Sequence, residues 1–144
     1  MFVREWKEHG RRRLAEDAAA VVAEMIAPPV VDALTYVPGD PERASRRGDV
    51  PPRSLAGVLG RVWEIPVDDL LRRSHSNPPQ RGRSLVERRK NVRGTIVATT
   101  RAPATVCLVD DVYTSGATAD ACASALRRAG AKRVDVLTLA RAVR

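Results

Sequence analysis

The residues best suited to chemistry lie in one run, Val106-Cys107-Leu108-Val109-Asp110-Asp111-Val112-Tyr113-Thr114-Ser115-Gly116-Ala117-Thr118. An apolar stretch of strand-forming residues ends in two carboxylates. A tight turn of small and hydroxyl residues follows, and then a helix begins. Ligands of open α/β sheets bind just past the carboxyl ends of the strands. A loop feeding a helix N-terminus presents backbone N–H groups and the positive end of the macrodipole, which together make an anion site with phosphate as the usual occupant. Gly116 permits close backbone approach, and Thr114, Ser115 and Thr118 add hydroxyl donors. Two adjacent acids beside a phosphate cradle make sense if they accept hydrogen bonds from sugar hydroxyls or hold a divalent cation. The ligand read from these residues is therefore a sugar phosphate. A polar turn whose acids merely cap and solvate would account for an arbitrary Asp-Asp pair. Agreement over thirteen consecutive positions favours the phosphate site. The other phosphate motifs are absent: no Gly-x-Gly-x-x-Gly follows a strand, and no Gly-Lys pair exists for a Walker loop.

The elements that must position this run can be placed along the chain. Residues 11–26 read as a helix with Leu14, Ala18, Val21, Val22 and Met25 on one face, ended by Pro28-Pro29. Residues 32–37 read as a short strand, followed by a Pro- and Gly-marked loop. Residues 53–63 read as a second helix. Pro52 suits its first turn, Leu55, Val58, Leu59, Val62 and Trp63 form its stripe, and Pro66 stops it. Residues 67–72 are compatible with a further strand. Residues 74–83 read as a mobile loop, and Ser84-Leu85-Val86-Glu87 fits a capping box opening a short basic helix. Residues 95–99, 105–110 and 133–140 read as strands. Residues 117–129 read as a helix capped at its C-terminal end by Gly130. Strands alternating with helices argue for an α/β layer fold.

Length and charge bound the rest. The 144 residues predict a single domain, 1–144. Hydrophobic content of 44% and charged content of 29% argue against wholesale disorder. No apolar run approaches the ~20 residues of a membrane span. The early charged residues, with the run Arg11-Arg12-Arg13, exclude a secretory signal, so a cytoplasmic chain with reduced cysteines is expected. Cys107 and Cys122, with no Cys-x-x-Cys, form neither a disulfide scaffold nor a zinc ribbon. They read as packing residues, and His9 and His75 lack metal-ligand spacing. The net charge of +8 is concentrated in the middle: Arg43 to Arg93 holds 13 basic residues against five acids. A solvated face accounts for such an excess, as does a polyanionic ligand or a nucleic-acid backbone. With few aromatics to interleave, base stacking is poorly supported.

Residues 106–118 closely resemble the phosphoribosyl pyrophosphate (PRPP) signature of the type I phosphoribosyltransferases. The wider sequence resembles the ComF family, a phosphoribosyltransferase-like group associated with competence for DNA uptake. That match is carried by Lys7-Glu8-His9-Gly10-Arg11, Tyr36-Val37-Pro38, Pro41, Arg43, Arg47-Gly48, Leu70-Leu71-Arg72-Arg73, Pro78-Pro79-Gln80 and Glu87-Arg88-Arg89-Lys90-Asn91-Val92-Arg93-Gly94. The resemblance implies a type I phosphoribosyltransferase fold, with about five mostly parallel strands flanked by helices and a flexible basic hood over residues 73–93. It implies that Asp110 and Asp111 contact the ribose hydroxyls and that Thr114, Ser115, Gly116, Ala117 and Thr118 hold the 5-phosphate. Arg43, Arg47, Arg88 and Arg89 are the candidates for pyrophosphate. It further implies PRPP as substrate, substrate-bound Mg²⁺, and an unknown nitrogen acceptor, with a homodimer left open. Two departures stand out. ComF-like chains commonly begin with a cysteine-bearing zinc-ribbon segment, which has no counterpart in these residues. The family's Pro-Leu-His-Pro and Arg-Gly-Phe-Asn-Gln stretches are here Pro38-Gly39-Asp40-Pro41 and Arg47-Gly48-Asp49-Val50-Pro51. These changes motivate an alternative, a non-catalytic PRPP- or nucleotide-sensing or DNA-uptake accessory module.

Overall fold

The computed structural model describes residues 2–39, 51–74, 96–113 and 116–141. Its elements are α1 (Phe2–Met25), β1 (Ala33–Tyr36), α2 (Pro52–Trp63), β2 (Leu71–Arg73), β3 (Ile96–Ala98), β4 (Thr105–Tyr113), α3 (Ala117–Arg128) and β5 (Arg133–Arg141). The sheet order β1-β4-β5 is parallel throughout. The nine-residue β4 lies in the centre, where an apolar run is buried on both faces.

The two faces divide the core. On one, Val106 and Leu108 pack with Ala121, Cys122, Ala125 and Leu126 of α3 and with Leu70, Leu71 and Ile96 around the β2–β3 ribbon. On the other, Cys107 and Val109 pack with Ala15, Ala19 and Val22 of α1 and with Leu55, Ala56 and Leu59 of α2. The result is a layered α/β fold with helices on both sides. Asp32 ties the amino ends of β1 and β4 together. Its Oδ2 accepts from the Thr105 backbone N–H at 3.1 Å and from the Thr105 hydroxyl at 3.0 Å, and its own N–H donates to Thr105 Oγ1 at 2.9 Å.

The expected elements form, with three corrections. First, about five mostly parallel strands were expected, and the described residues give three. A parallel bridge at Leu34 and Val67 adds only the start of a fourth. There the Leu34 N–H donates to the Pro66 carbonyl and the Asp68 N–H to the Leu34 carbonyl. Pro66 has no N–H, so the ladder cannot extend backwards. The short strands β2 and β3 instead pair antiparallel with each other, apart from the main sheet. Residues 75–93 of the expected hood lie between them in the chain and outside the described residues. The predicted basic helix at 84–91 does so too. Second, the first helix begins at Phe2 rather than at residue 11. Third, it buries Ala15, Ala19 and Val22, while Leu14, Val21 and Met25 of the predicted core face stay exposed.

Helix α3 ends as its sequence predicts. Gly130 has a φ of 116°. Its N–H donates to the Arg127 carbonyl and the Ala131 N–H to the Leu126 carbonyl. This paired arrangement satisfies the last carbonyls of the helix. Helix α2 crosses close to the chain at Gly60, where a Cβ would lie 2.4 Å from Val67 Cγ2. No helix among the described residues is long and apolar enough to cross a membrane.

Candidate functional site

The parallel register sets Tyr36 of β1 level with Val109 of β4, and the Val37 N–H donates to the Val109 carbonyl at 3.0 Å. Beyond that level β1 ends, while β4 runs on beside β5 to Tyr113. Asp110 and Asp111 stand within β4, which does not end at residue 110 as expected, and Pro38 and Gly39 lead away from β1 beside them. Alternation along β4 puts Asp110 on the same face as Val106 and Leu108, toward α3. Its charge acts on the Cys122 thiol of that helix.

Asp110 is only 8% exposed, and Asp111 is half-buried. The Asp111 backbone N–H donates to Asp110 Oδ1 at 2.9 Å. Burial pushes the Asp110 carboxyl up to about 7, and the hydrogen bond and charge of the Asp111 side chain push the same way. The Asp111 N–H and the positive Arg73 pull it down, but do not prevail. Desolvation of the charged form is thus the dominant cause. A carboxyl brought near neutrality at a sheet edge is a mark of a functional site as well as a cost to stability.

Helix α3 begins immediately beyond. Gly116 is buried and adopts φ 77°, ψ −2°, a left-handed conformation that glycine takes without a Cβ penalty. It has no side chain with which to cap, and α3 starts with no side-chain cap. The first helical bond runs from the Asp120 N–H to the Gly116 carbonyl at 2.8 Å. A helix opened in this way turns its first amide donors and positive dipole end toward the turn after Asp111.

Asp110, Asp111, Gly116, Ala117 and Thr118 are thus gathered at one sheet edge. Thr114 and Ser115, and the arginines Arg43, Arg47, Arg88 and Arg89, lie outside the described residues. Arg73 joins the site although no role was predicted for it beyond membership of the basic run. Its Nε donates to the Pro38 carbonyl at 3.2 Å, and its charge acts on both Asp110 and Cys122. The sequence marked it only as part of the Leu70-Leu71-Arg72-Arg73 resemblance, and its place beside Pro38 and Asp110 comes from the tertiary structure. Thr35 is a second residue missed. It pairs in register with Leu108, and its fully buried Oγ1 has no hydrogen-bond partner among the described residues.

The other candidates resolve as packing. Cys107 and Cys122 are buried and free. Burial pushes their thiols up to about 11 and about 12, with a nearby Asp135 and Asp110 adding to it respectively. Both are poor nucleophiles. The second acidic pair, Asp68-Asp69, forms no phosphate turn. Asp68 is bonded through its backbone to Leu34, and the Asp69 carbonyl accepts from the Thr99 hydroxyl at 2.9 Å.

No family model matches the chain. Over 116 residues, 77% of the chain, the sequence is 34% identical to Competence protein F of Haemophilus influenzae. The fold matches the glutamine PRPP amidotransferase of B. subtilis complexed with ADP and GMP at a TM-score of 0.57, with 23% identity over 90% of this chain and 26% of that one. It matches the allosteric regulatory enzyme of purine biosynthesis at a TM-score of 0.56, with 22% identity over 90% of this chain and 25% of that one. The chain has a ComF-like phosphoribosyltransferase fold. Asp110 and Asp111 lie beside the carboxyl end of β1, the side of an open α/β sheet on which ligands bind. The chain spans about half the length of Competence protein F, 51%.

Proposed function

We propose that this chain binds PRPP, with Mg²⁺ carried on the substrate, and transfers its phosphoribosyl group to a nitrogen acceptor. One observation carries the reading. The central parallel strand holds Asp110 and Asp111 just past the end of β1, and the helix that follows this strand opens at a left-handed glycine without a side-chain cap. Carboxylates face the sugar hydroxyls, and amides face the phosphate. The match to a PRPP amidotransferase fold supports it.

In this scheme the turn from Thr114 to Thr118 binds the 5-phosphate through backbone amides and hydroxyls. Asp110 and Asp111 accept hydrogen bonds from the ribose hydroxyls. Arg43, Arg47, Arg88 and Arg89 are the arginines assigned to the pyrophosphate, and Arg73 adds its charge near Asp110. Among the described residues no group of three or more His, Cys, Asp or Glu could hold a metal ion. Mg²⁺ would be carried largely by substrate oxygens and water and would supply positive charge to offset that of the leaving group. The bond between ribose C1 and the pyrophosphate oxygen breaks, and the electron pair leaves with pyrophosphate. The acceptor nitrogen's lone pair forms the new C1–N bond, and the nitrogen gives up its proton. Positioning and charge stabilisation are the protein's contribution.

Calorimetry with PRPP and Mg²⁺, paired with a pyrophosphate-release assay across nitrogen bases, tests the proposal. Heat of binding and release with one base support it. No heat and no thermal protection overturn it. Binding without release from any base favours the second reading, an accessory module in DNA uptake or nucleotide sensing, which the similarity to Competence protein F supports.

A further inference from the structure

Helix α1 carries two apolar stripes. Ala15, Ala19 and Val22 are buried against α2 and the sheet. The other stripe, Leu14, Ala18, Val21 and Met25, repeats at intervals of four, three and four residues, the spacing of a helix–helix seam. The fold leaves three of the four to solvent: Leu14 is 47%, Val21 52% and Met25 78% exposed, while the smaller Ala18, at the edge of the stripe, is partly buried against the core that α1 makes with α2 and the sheet. Single exposed apolar residues are ordinary. A seam of four over three turns, about 16 Å of helix, is a surface for an interaction.

Charge identifies the partner. Arg11, Arg12 and Arg13 stand at the N-terminal end of the seam. From Leu14 to Met25 the helix holds Glu16, Asp17 and Glu24 and no basic residue. Two parallel copies would set like charge against like, whereas two antiparallel copies set Arg11, Arg12 and Arg13 of each beside the far end of the other, where Glu24 is the one charged residue. We propose that α1 pairs antiparallel with α1 of a second copy, the two-fold axis passing at Ala18. The two alanines allow close approach at the crossing. Leu14 of each copy then meets Val21 of the other, and Arg13 of each comes within a turn of Glu24 of the other. One helix per subunit is a small interface, so the dimer is weak and concentration-dependent.

Sedimentation velocity over a dilution series tests this. The parent chain should shift from monomer to dimer with concentration. Leu14→Glu and Val21→Glu should each abolish the shift while leaving the melting temperature unchanged, because both side chains are exposed. Arg13→Glu and Glu24→Arg should each raise the dissociation constant roughly threefold to tenfold, as two symmetric ion pairs turn repulsive. The double reversal should restore the parent value. A monomer at every concentration overturns the proposal, as does a dimer that survives both glutamate substitutions. Failure of the double reversal to restore association overturns the antiparallel register.

Discussion

Asp110→Asn should make the protein more stable and less able to bind. The carboxyl titrates at about 7 in the fold against 3.8 for an unperturbed aspartate. At 1.36 kcal/mol per tenfold, that difference amounts to about 4 kcal/mol that ionisation costs the folded state. The sign follows from proton counting. Between 3.8 and about 7 the folded chain holds a proton that the unfolded chain has released. Stability is therefore fully present below 3.8 and is lost as pH rises through 7. Asparagine cannot ionise, yet its carbonyl oxygen can still accept from the Asp111 N–H. The gain at pH 7.5 should approach about 2–4 kcal/mol, a rise in Tm of roughly 5–15 °C for a domain of this size. The gain should shrink with acidity and vanish below about pH 4. Thermal unfolding of both proteins over a pH series reads this directly. A loss of stability at neutral pH, or a gain that is the same at pH 4 and pH 7.5, would refute the assignment of Asp110 as a desolvated carboxylate. PRPP affinity should meanwhile fall about tenfold or more, since a hydrogen bond to a charged acceptor contributes about 1.5–3 kcal/mol. Inorganic phosphate, with no ribose, should bind as well as before or better. Equal loss of both ligands would point to a disturbed turn instead.

Gly116→Ala forces a Cβ into a left-handed residue and should cost about 1–2 kcal/mol in thermal unfolding, with loss of phosphate binding by calorimetry. Gly60→Ala puts a Cβ 2.4 Å from Val67 Cγ2 and 2.9 Å from the Ile65 carbonyl. It should cost about 1–3 kcal/mol in urea unfolding. Adding Val67→Ala should recover part of that loss but not all, because the carbonyl cannot retreat. Arg73→Gln removes a positive charge that holds the Asp110 carboxyl down, so Asp110 should titrate still higher by NMR, and PRPP should bind more weakly. Cys107 and Cys122 should resist thiol reagents in the folded chain and react on unfolding, at a rate that tracks denaturant.

What the sequence determined by itself is local. The apolar run from Val106 to Val109 dictates a buried strand, and Gly116 supplies the only backbone free to turn left-handed before α3. Gly130 dictates how that helix ends. These follow from residue type and near neighbours, so the strand–acid–turn–helix order of the site was legible before any fold was known. The tertiary structure decided the rest. In α1 the two apolar stripes lie side by side, and both satisfy a helical period. The stripe of Ala15, Ala19 and Val22 went inward because its small side chains let α1 settle onto α2 and the sheet, which periodicity cannot weigh. Among the described residues the parallel sheet holds three of the five strands because Pro66 halts the ladder beside β1, while β2 and β3 found each other across a long stretch of chain. The character of Asp110 is also tertiary. Its carboxyl is an ordinary aspartate in the sequence. It moves toward neutrality because α3 and the sheet exclude water from it and Asp111 crowds it, with Arg73 close enough to moderate the shift but too exposed to cancel it.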